Sequence, residues 1–275
     1  MSDWSKPLAR CPRLTLRDVR LGTGARVLVD ALACTIGPGE LWVVVGPNGV
    51  GKSTLMGVLA GLRVCQAGEV TLDDVPLVTL AATNPAALAR QRAYLPQAIH
   101  DTFSMSVTDA VRVGRHPHLR GWGWSGREDD AVVAAVIDAL DLAGFGARDV
   151  LTLSGGERQR VALAALLAQQ APLLLLDEPV SHLDLRHQIL VLDLLARLVG
   201  AGRHAAVVIL HDLNLARRYA THALLMAEDG RALHGPVAGV LTPEQCSRVL
   251  RTPIVSVSDG THRALIPEEI RHDQR

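Results

Sequence analysis

Apolar and polar residues alternate through Leu14-Thr15-Leu16-Arg17-Asp18-Val19-Arg20-Leu21, the period of a half-buried strand. Gly22-Thr23-Gly24 supplies a turn behind it, so an edge hairpin is predicted. Residues 41–45 are continuously apolar and stop at Gly46, as a strand covered on both faces does, and residues 54–59 then read as a helix ending at Gly61. Asn84-Pro85 pairs a helix cap with a proline at the first helical position, and residues 93–95 suggest a short strand before Pro96-Gln97.

Past Gln97 the pattern changes. Residues 108–113 read as helix, residues 114–126 as a loop rich in Gly, His and Trp, and Ser125-x-x-Glu128 as a capping box opening a helix to about Leu142. From Arg158 onward, helix, apolar strand (173–176), helix (185–199), apolar strand (205–210) and helix (213–220) alternate as in a doubly wound parallel sheet. Residues 223–266 hold short strands and one more helix, opened by Thr242-Pro243-Glu244-Gln245.

Composition narrows this outline. A chain of 275 residues accommodates one α/β domain with a single large core. Lys plus Arg equals Asp plus Glu, so no overall field favours nucleic acid and partners of another kind are expected. Cys11, Cys34, Cys65 and Cys246 are far apart, without zinc-site spacing, and read as reduced thiols of a cytosolic protein. The start of the chain lacks the pattern of a secretory signal, and no apolar run approaches about 18 residues, so no membrane span is expected.

Gly46-Pro47-Asn48-Gly49-Val50-Gly51-Lys52-Ser53, followed by Thr54, matches the phosphate-loop pattern between a predicted strand and helix. Glycines let successive backbone N–H groups turn toward one centre, Lys52 reaches outer phosphates, and the Ser53 hydroxyl is a ligand for Mg²⁺. The strand at 173–176 delivers Asp177 and Glu178 at its carboxyl end, beside that loop. Asp177 suits a Mg²⁺ shell, and Glu178, kept out of helical geometry by Pro179, suits a general base. Ser154-Gly155-Gly156-Glu157 is a capping box for the following helix, and a serine with glycine N–H groups at a helix start is also an anion site.

These motifs, in this order, resemble the ABC-type ATPases. The resemblance spans roughly residues 14–238 and rests on Leu153-Ser154-Gly155-Gly156-Glu157-Arg158-Gln159-Arg160 as the signature, with Leu173 to Leu176 and Asp177-Glu178-Pro179 behind it. It implies a P-loop NTPase, RecA-like core with an N-terminal antiparallel β subdomain and an inserted α-helical subdomain. The expected division is one domain over 13–266, with core at 13–97 and 158–266, helical signature part at 98–157, and flexible termini at 1–12 and 267–275.

The resemblance further implies ATP and Mg²⁺ as cofactors and a γ-phosphate contact from His211. Gln97 would stand at the Mg²⁺ as a Q-loop residue. Ser154, Gly155, Gly156, Glu157 and Asp184 would act on nucleotide held mainly by a second protomer. The family also stacks an aromatic on adenine near the edge hairpin, which this sequence lacks there; stacking on Arg26, or an apolar contact from Leu21 or Val27, would take its place.

Repair ATPases of this type carry a long coiled coil where this chain has fewer than about sixty residues between Gln97 and Ser154. Translation types carry two ATPase domains, and exporters often fuse a membrane domain. The stretch Ser106 to His118, with His211-Asp212-Leu213-Asn214-Leu215-Ala216, resembles importers of iron–siderophore, haem and cobalamin, with corrinoid slightly favoured. A homodimer is then expected, working on integral membrane permease subunits and indirectly with a substrate-binding protein, peripheral at the cytoplasmic face of the inner membrane. His116 and His118 read as solvated rather than metal-binding. Trp122 and Trp124 fit either a permease contact or packing within the helical part.

Overall fold

The computed structural model describes residues 4–24, 26–98, 103–119, 126–261 and 263–268. Its centre is a six-stranded sheet in the order Ala232–Pro236, His222–Met226, Leu41–Val45, Ala205–Ile209, Leu173–Leu176, Arg92–Leu95. Only the first pair is antiparallel. The three continuous apolar runs are interior strands of this sheet, buried at every position, as strands covered on both faces must be.

Because successive side chains point to opposite faces, these strands divide two cores between them. Val43, Val45, Leu174, Leu176, Ala206 and Val208 pack with helices Gly155–Ala168 and Leu185–Gly200. Trp42, Val44, Leu173, Leu175, Val207 and Ile209 face helix Lys52–Leu59 and the second sheet. That second sheet runs Arg26–Ile36, Leu14–Thr23, Ala67–Leu72, Val75–Pro76, all antiparallel. The predicted hairpin therefore exists, but its first strand is interior and only its second strand lies at the edge.

The helical part comprises Val107–Arg112, a 3₁₀ segment Val113–His118, and Arg127–Ala139, packed on helix Gly155–Ala168. That last helix crosses the boundary expected between residues 157 and 158 and also touches strand Arg92–Leu95, so the two parts share it. Helix Arg127–Ala139 is capped at Gly126, whose N–H donates to the Asp129 carboxylate at 3.0 Å. This shifts the expected cap by one residue, because the carboxylate that reaches back is Asp129 rather than Glu128. Ser125, Trp122 and Trp124 lie outside the described residues.

Two further expectations change. Part of the loop expected over 114–126 is the 3₁₀ segment, and Arg115 within it is only 3% exposed. Arg115 donates from Nη1 to the Ala168 carbonyl and to Gln170 Oε1, each at 2.7 Å, and from Nε to Asp129 at 2.8 Å. The N-terminus expected to be flexible through residue 12 is fastened over its described part. Gln170 donates to the carbonyls of Trp4 and Lys6 at 3.2 and 3.0 Å, and Cys11 is buried. Among the described residues no helix is long and apolar enough to cross a membrane.

Candidate functional site

The phosphate loop joins the end of strand Leu41–Val45 to helix Lys52–Leu59. Its glycines answer two local demands. A Cβ on Gly46 would stand 2.5 Å from the Met226 carbonyl oxygen, and Gly51 caps the helix at φ +105°, where side chains are rarely found. Lys52, 6% exposed, donates from Nζ to the carbonyls of Gly46 and Pro47 at 2.8 and 2.9 Å. Burial pushes its pKa down, and the nearby Glu178 and Asp177 carboxylates oppose that shift.

Asp177 extends the pairing of strand Leu173–Leu176, its N–H donating to the Leu95 carbonyl at 2.9 Å. Its side chain is 1% exposed and turned toward Ser53. Burial pushes the carboxyl pKa up; the Ser53 hydrogen bond works against this, the Glu178 charge adds to it, and Lys52 and His211 oppose it. Its Oδ1 is buried without a hydrogen-bond partner, an uncommon state for a native carboxylate and a reason to look for a cation.

Glu178 adopts φ +52°, outside right-handed helical geometry as expected beside Pro179, but in the left-handed region rather than the extended one that a residue before proline favours. The turn it opens is closed by Ser181, whose N–H and Oγ both donate to the Glu178 carbonyl at 3.2 and 2.8 Å. Glu178 Oε1 meets His211 Nε2 at 2.8 Å. His211 follows strand Ala205–Ile209, and Asp212 caps the next helix through the N–H groups of Asn214 and Leu215. Two strand ends thus bring an acid and an imidazole into contact from distant parts of the sequence.

A cleft of about 630 Å³ gathers Asn48, Gly49, Gly51, Lys52, Ser53, Thr54, Gln97, Glu178 and His211, with Thr23, Arg26 and Leu28 along one wall. Gln97, named from sequence only by resemblance, joins the phosphate-loop residues there. Of the three candidates for the missing aromatic, only Arg26 lines the cleft, since Leu21 is 1% exposed in the core. Leu28 escaped the sequence reading for a local reason. Leu21 pairs with Val29 and Gly22 with Val27, so a bulge at Leu28 breaks the alternation that would otherwise assign its face.

Ser154, Gly155, Gly156, Glu157 and Asp184 do not line this cleft. Ser154 and Glu157 form a reciprocal capping box: the Ser154 N–H donates to Glu157 Oε2 at 2.7 Å and the Glu157 N–H to Ser154 Oγ at 3.3 Å. That backbone bond holds the Glu157 carboxyl below its usual range. A Cβ on Gly156 would lie 3.0 Å from the His182 carbonyl oxygen, so the signature packs on the loop that leads to Asp184. Asp184 caps helix Leu185–Gly200, accepting from the N–H of His187 at 2.9 Å, and its carboxyl is lowered by that bond.

The two loop histidines part company. His116 is exposed, as expected, but His118 Nε2 lies 2.7 Å from the Gln169 carbonyl and burial pushes its pKa down. Among the described residues no cluster of three potential metal-binding His, Cys, Asp or Glu side chains occurs.

Comparison with known proteins agrees with this arrangement. The ABC transporter family pattern matches residues 29–181. A hemin import ATP-binding protein of Streptomyces coelicolor is 43% identical over 238 residues, covering 86% of this chain and 82% of the relative. A cobalamin import ATP-binding protein of Halobacterium salinarum is 45% identical over 230 residues, covering 82% of this chain and 55% of the relative. An inward-facing metal-chelate type ABC transporter superposes with a TM-score of 0.80 at 26% identity, covering 94% of this chain and 98% of that one. Phosphate loop, paired carboxylates, capped signature helix and these similarities together establish that the chain belongs to the ABC transporter family, as one of its ATPase cassettes.

Proposed function

We propose that this chain is the ATP-hydrolysing subunit of an importer for haem or a related metal chelate, with cobalamin and iron–siderophores in the same class. The similar proteins are hemin and cobalamin import ATP-binding proteins, and they support that cargo class. The observation that carries the reading is the separation of the two anion sites within one chain. The cleft gathers phosphate-loop residues with Gln97, Glu178 and His211, while the signature helix start, exposed at Ser154 and Gly155, does not line it. Two copies arranged head to tail would complete both sites.

In the cleft, backbone N–H groups of the phosphate loop and the start of helix Lys52–Leu59 would bind the phosphates, with Lys52 turning from the Gly46 and Pro47 carbonyls to the outer oxygens. Thr23, Arg26 and Leu28 would border the base. The donor set fits Mg²⁺: the Ser53 hydroxyl, the partnerless Asp177 Oδ1 and the Gln97 amide oxygen are hard oxygen donors. Held there, Mg²⁺ would supply neutralisation of phosphate charge. Glu178, oriented by His211, would accept a proton from the attacking water. On the second protomer, Ser154 and the N–H groups of Gly155 and Gly156 would close over the γ-phosphate, with Glu157 and Asp184 shaping the contact.

A groove beside Gln97, lined by Leu95, Pro96, Ala98, Val113, Ala162 and Ala165, supports docking of a permease helix. Closure of the dimer would move this groove and hydrolysis would release it. The subunit would then sit peripherally on the cytoplasmic face of the inner membrane, with a substrate-binding protein acting through the permease. The test is to purify the subunit with its permease and measure ATPase stimulation by the binding protein loaded with haem, a siderophore or a corrinoid. Stimulation by haem above the others is expected; no stimulation by any of the three would overturn the assignment.

A further inference from the structure

The turn that presents Glu178 is anchored from outside by a buried amide. Glu178 stands at φ +52°, a backbone state disfavoured for residues with a Cβ, which persists only where neighbours over-determine it. Ser181 closes the turn from within. The next residue, Pro179, has no N–H, so its carbonyl is the single backbone group it must satisfy. That carbonyl accepts from Gln159 Nε2 at 3.1 Å, and Gln159 is 4% exposed. An apolar side chain would fill the same space but leave the Pro179 oxygen without its bond. Gln159 belongs to helix Gly155–Ala168, which begins at Ser154, and the same helix meets the loop again where Gly156 abuts the His182 carbonyl.

We propose that Gln159 is a positioning residue for Glu178: through the Pro179 carbonyl it fixes the turn that aims the Glu178 carboxylate, and so ties that carboxylate to the signature helix. The inference rests on Glu178 being the general base. It also gives the signature helix a mechanical role within its own protomer. A shift of its first turns moves the anchor of the residue beside Glu178, so engagement of Ser154 on one nucleotide bears on the geometry at the other.

The test is steady-state ATP hydrolysis by the full chain carrying Gln159→Leu and Gln159→Glu, with nucleotide-binding stoichiometry measured on the same samples. For Gln159→Leu, kcat is expected to fall about 10- to 100-fold, the cost of a small misplacement near the chemistry, with stoichiometry and KM for ATP unchanged. Gln159→Glu loses the donor when ionised and regains an O–H donor when protonated, and burial favours the protonated form. Its kcat relative to the unaltered protein is therefore expected to climb as pH falls from about 8 to about 6, which loss of packing alone would not produce. If Gln159→Leu does not fold, the Gln159→Glu profile decides. Unchanged kcat in Gln159→Leu, or a flat ratio in Gln159→Glu, overturns the proposal. Glu178→Gln, run alongside, separates the two readings. If it abolishes turnover while both Gln159 variants behave normally, only the positioning role fails. If Glu178→Gln itself turns over normally, the base assignment fails first.

Discussion

The helix that begins at Lys52 and the helix that begins at Gly155 both open with glycines and a hydroxyl, the makings of an anion site, yet they are furnished in opposite ways. Around the first converge a buried lysine, two carboxylates and a histidine drawn from three strand ends. Around the second stand Ser154 and a Glu157 carboxylate that accepts from the Ser154 N–H and pairs with Arg148 at 3.3 Å. On the proposed function the first would hold the phosphates and supply the base, and would still need a partner's Ser154 over the γ-phosphate. The second can only complete a site whose charge is supplied elsewhere, and that asymmetry is the physical reason to expect a dimer.

The comparison can be broken most sharply at Glu178. Glu178→Gln is expected to lower ATP turnover about 10²- to 10⁴-fold while ATP affinity, measured by equilibrium binding, is retained; normal turnover would remove the base from the richly furnished site. At the other helix, Ser154→Ala should cost about 1 kcal/mol of stability through the lost cap and reduce turnover about 10²-fold. Nucleotide affinity of the isolated protomer should stay the same, and a drop in that affinity would mean that Ser154 serves its own cleft.

Smaller effects sharpen the electrostatic side of the contrast. Burial raises the Asp177 carboxyl, so its ionised form is a cost carried by the folded state. Asp177→Asn is expected to raise the unfolding temperature of the nucleotide-free protein, measured by thermal unfolding. A lower Tm would show that the charge is compensated. Least of all is His118, whose pKa is pushed down by burial. Proton binding then favours the unfolded chain, so stability is full above about pH 6.5 and lost as pH falls below it. In His118→Gln the acid loss should be shallower in denaturant titrations at pH 7 and pH 5; an identical loss would assign the dependence to other groups.

Much of this architecture was legible in the sequence because it depends on local rules. The strands at 41–45, 173–176 and 205–209 are fully buried, so their apolar runs are unbroken, and the phosphate loop is contiguous. What escaped depends on long-range contact. Gly114 looked like a loop residue, but a Cβ there would stand 2.0 Å from the Ala165 carbonyl oxygen, so the segment is pressed onto a helix fifty residues away in sequence. Arg115 fell in a stretch read as loop, and its acceptors at Ala168, Gln170 and Asp129 converge only in the fold. Leu28 was hidden by a bulge that alternation does not announce. The same limit applied to the contact between Glu178 and His211, which two separate strands create.

The most direct test of the shared-site account is the molar mass in solution of Glu178→Gln, by light scattering, with and without Mg-ATP. The account predicts a monomer that becomes a dimer when ATP is added, and a Glu178→Gln, Ser154→Arg double variant that still binds ATP but stays monomeric. A mass that does not change with ATP, or a double variant that dimerises as readily as the single one, would contradict it.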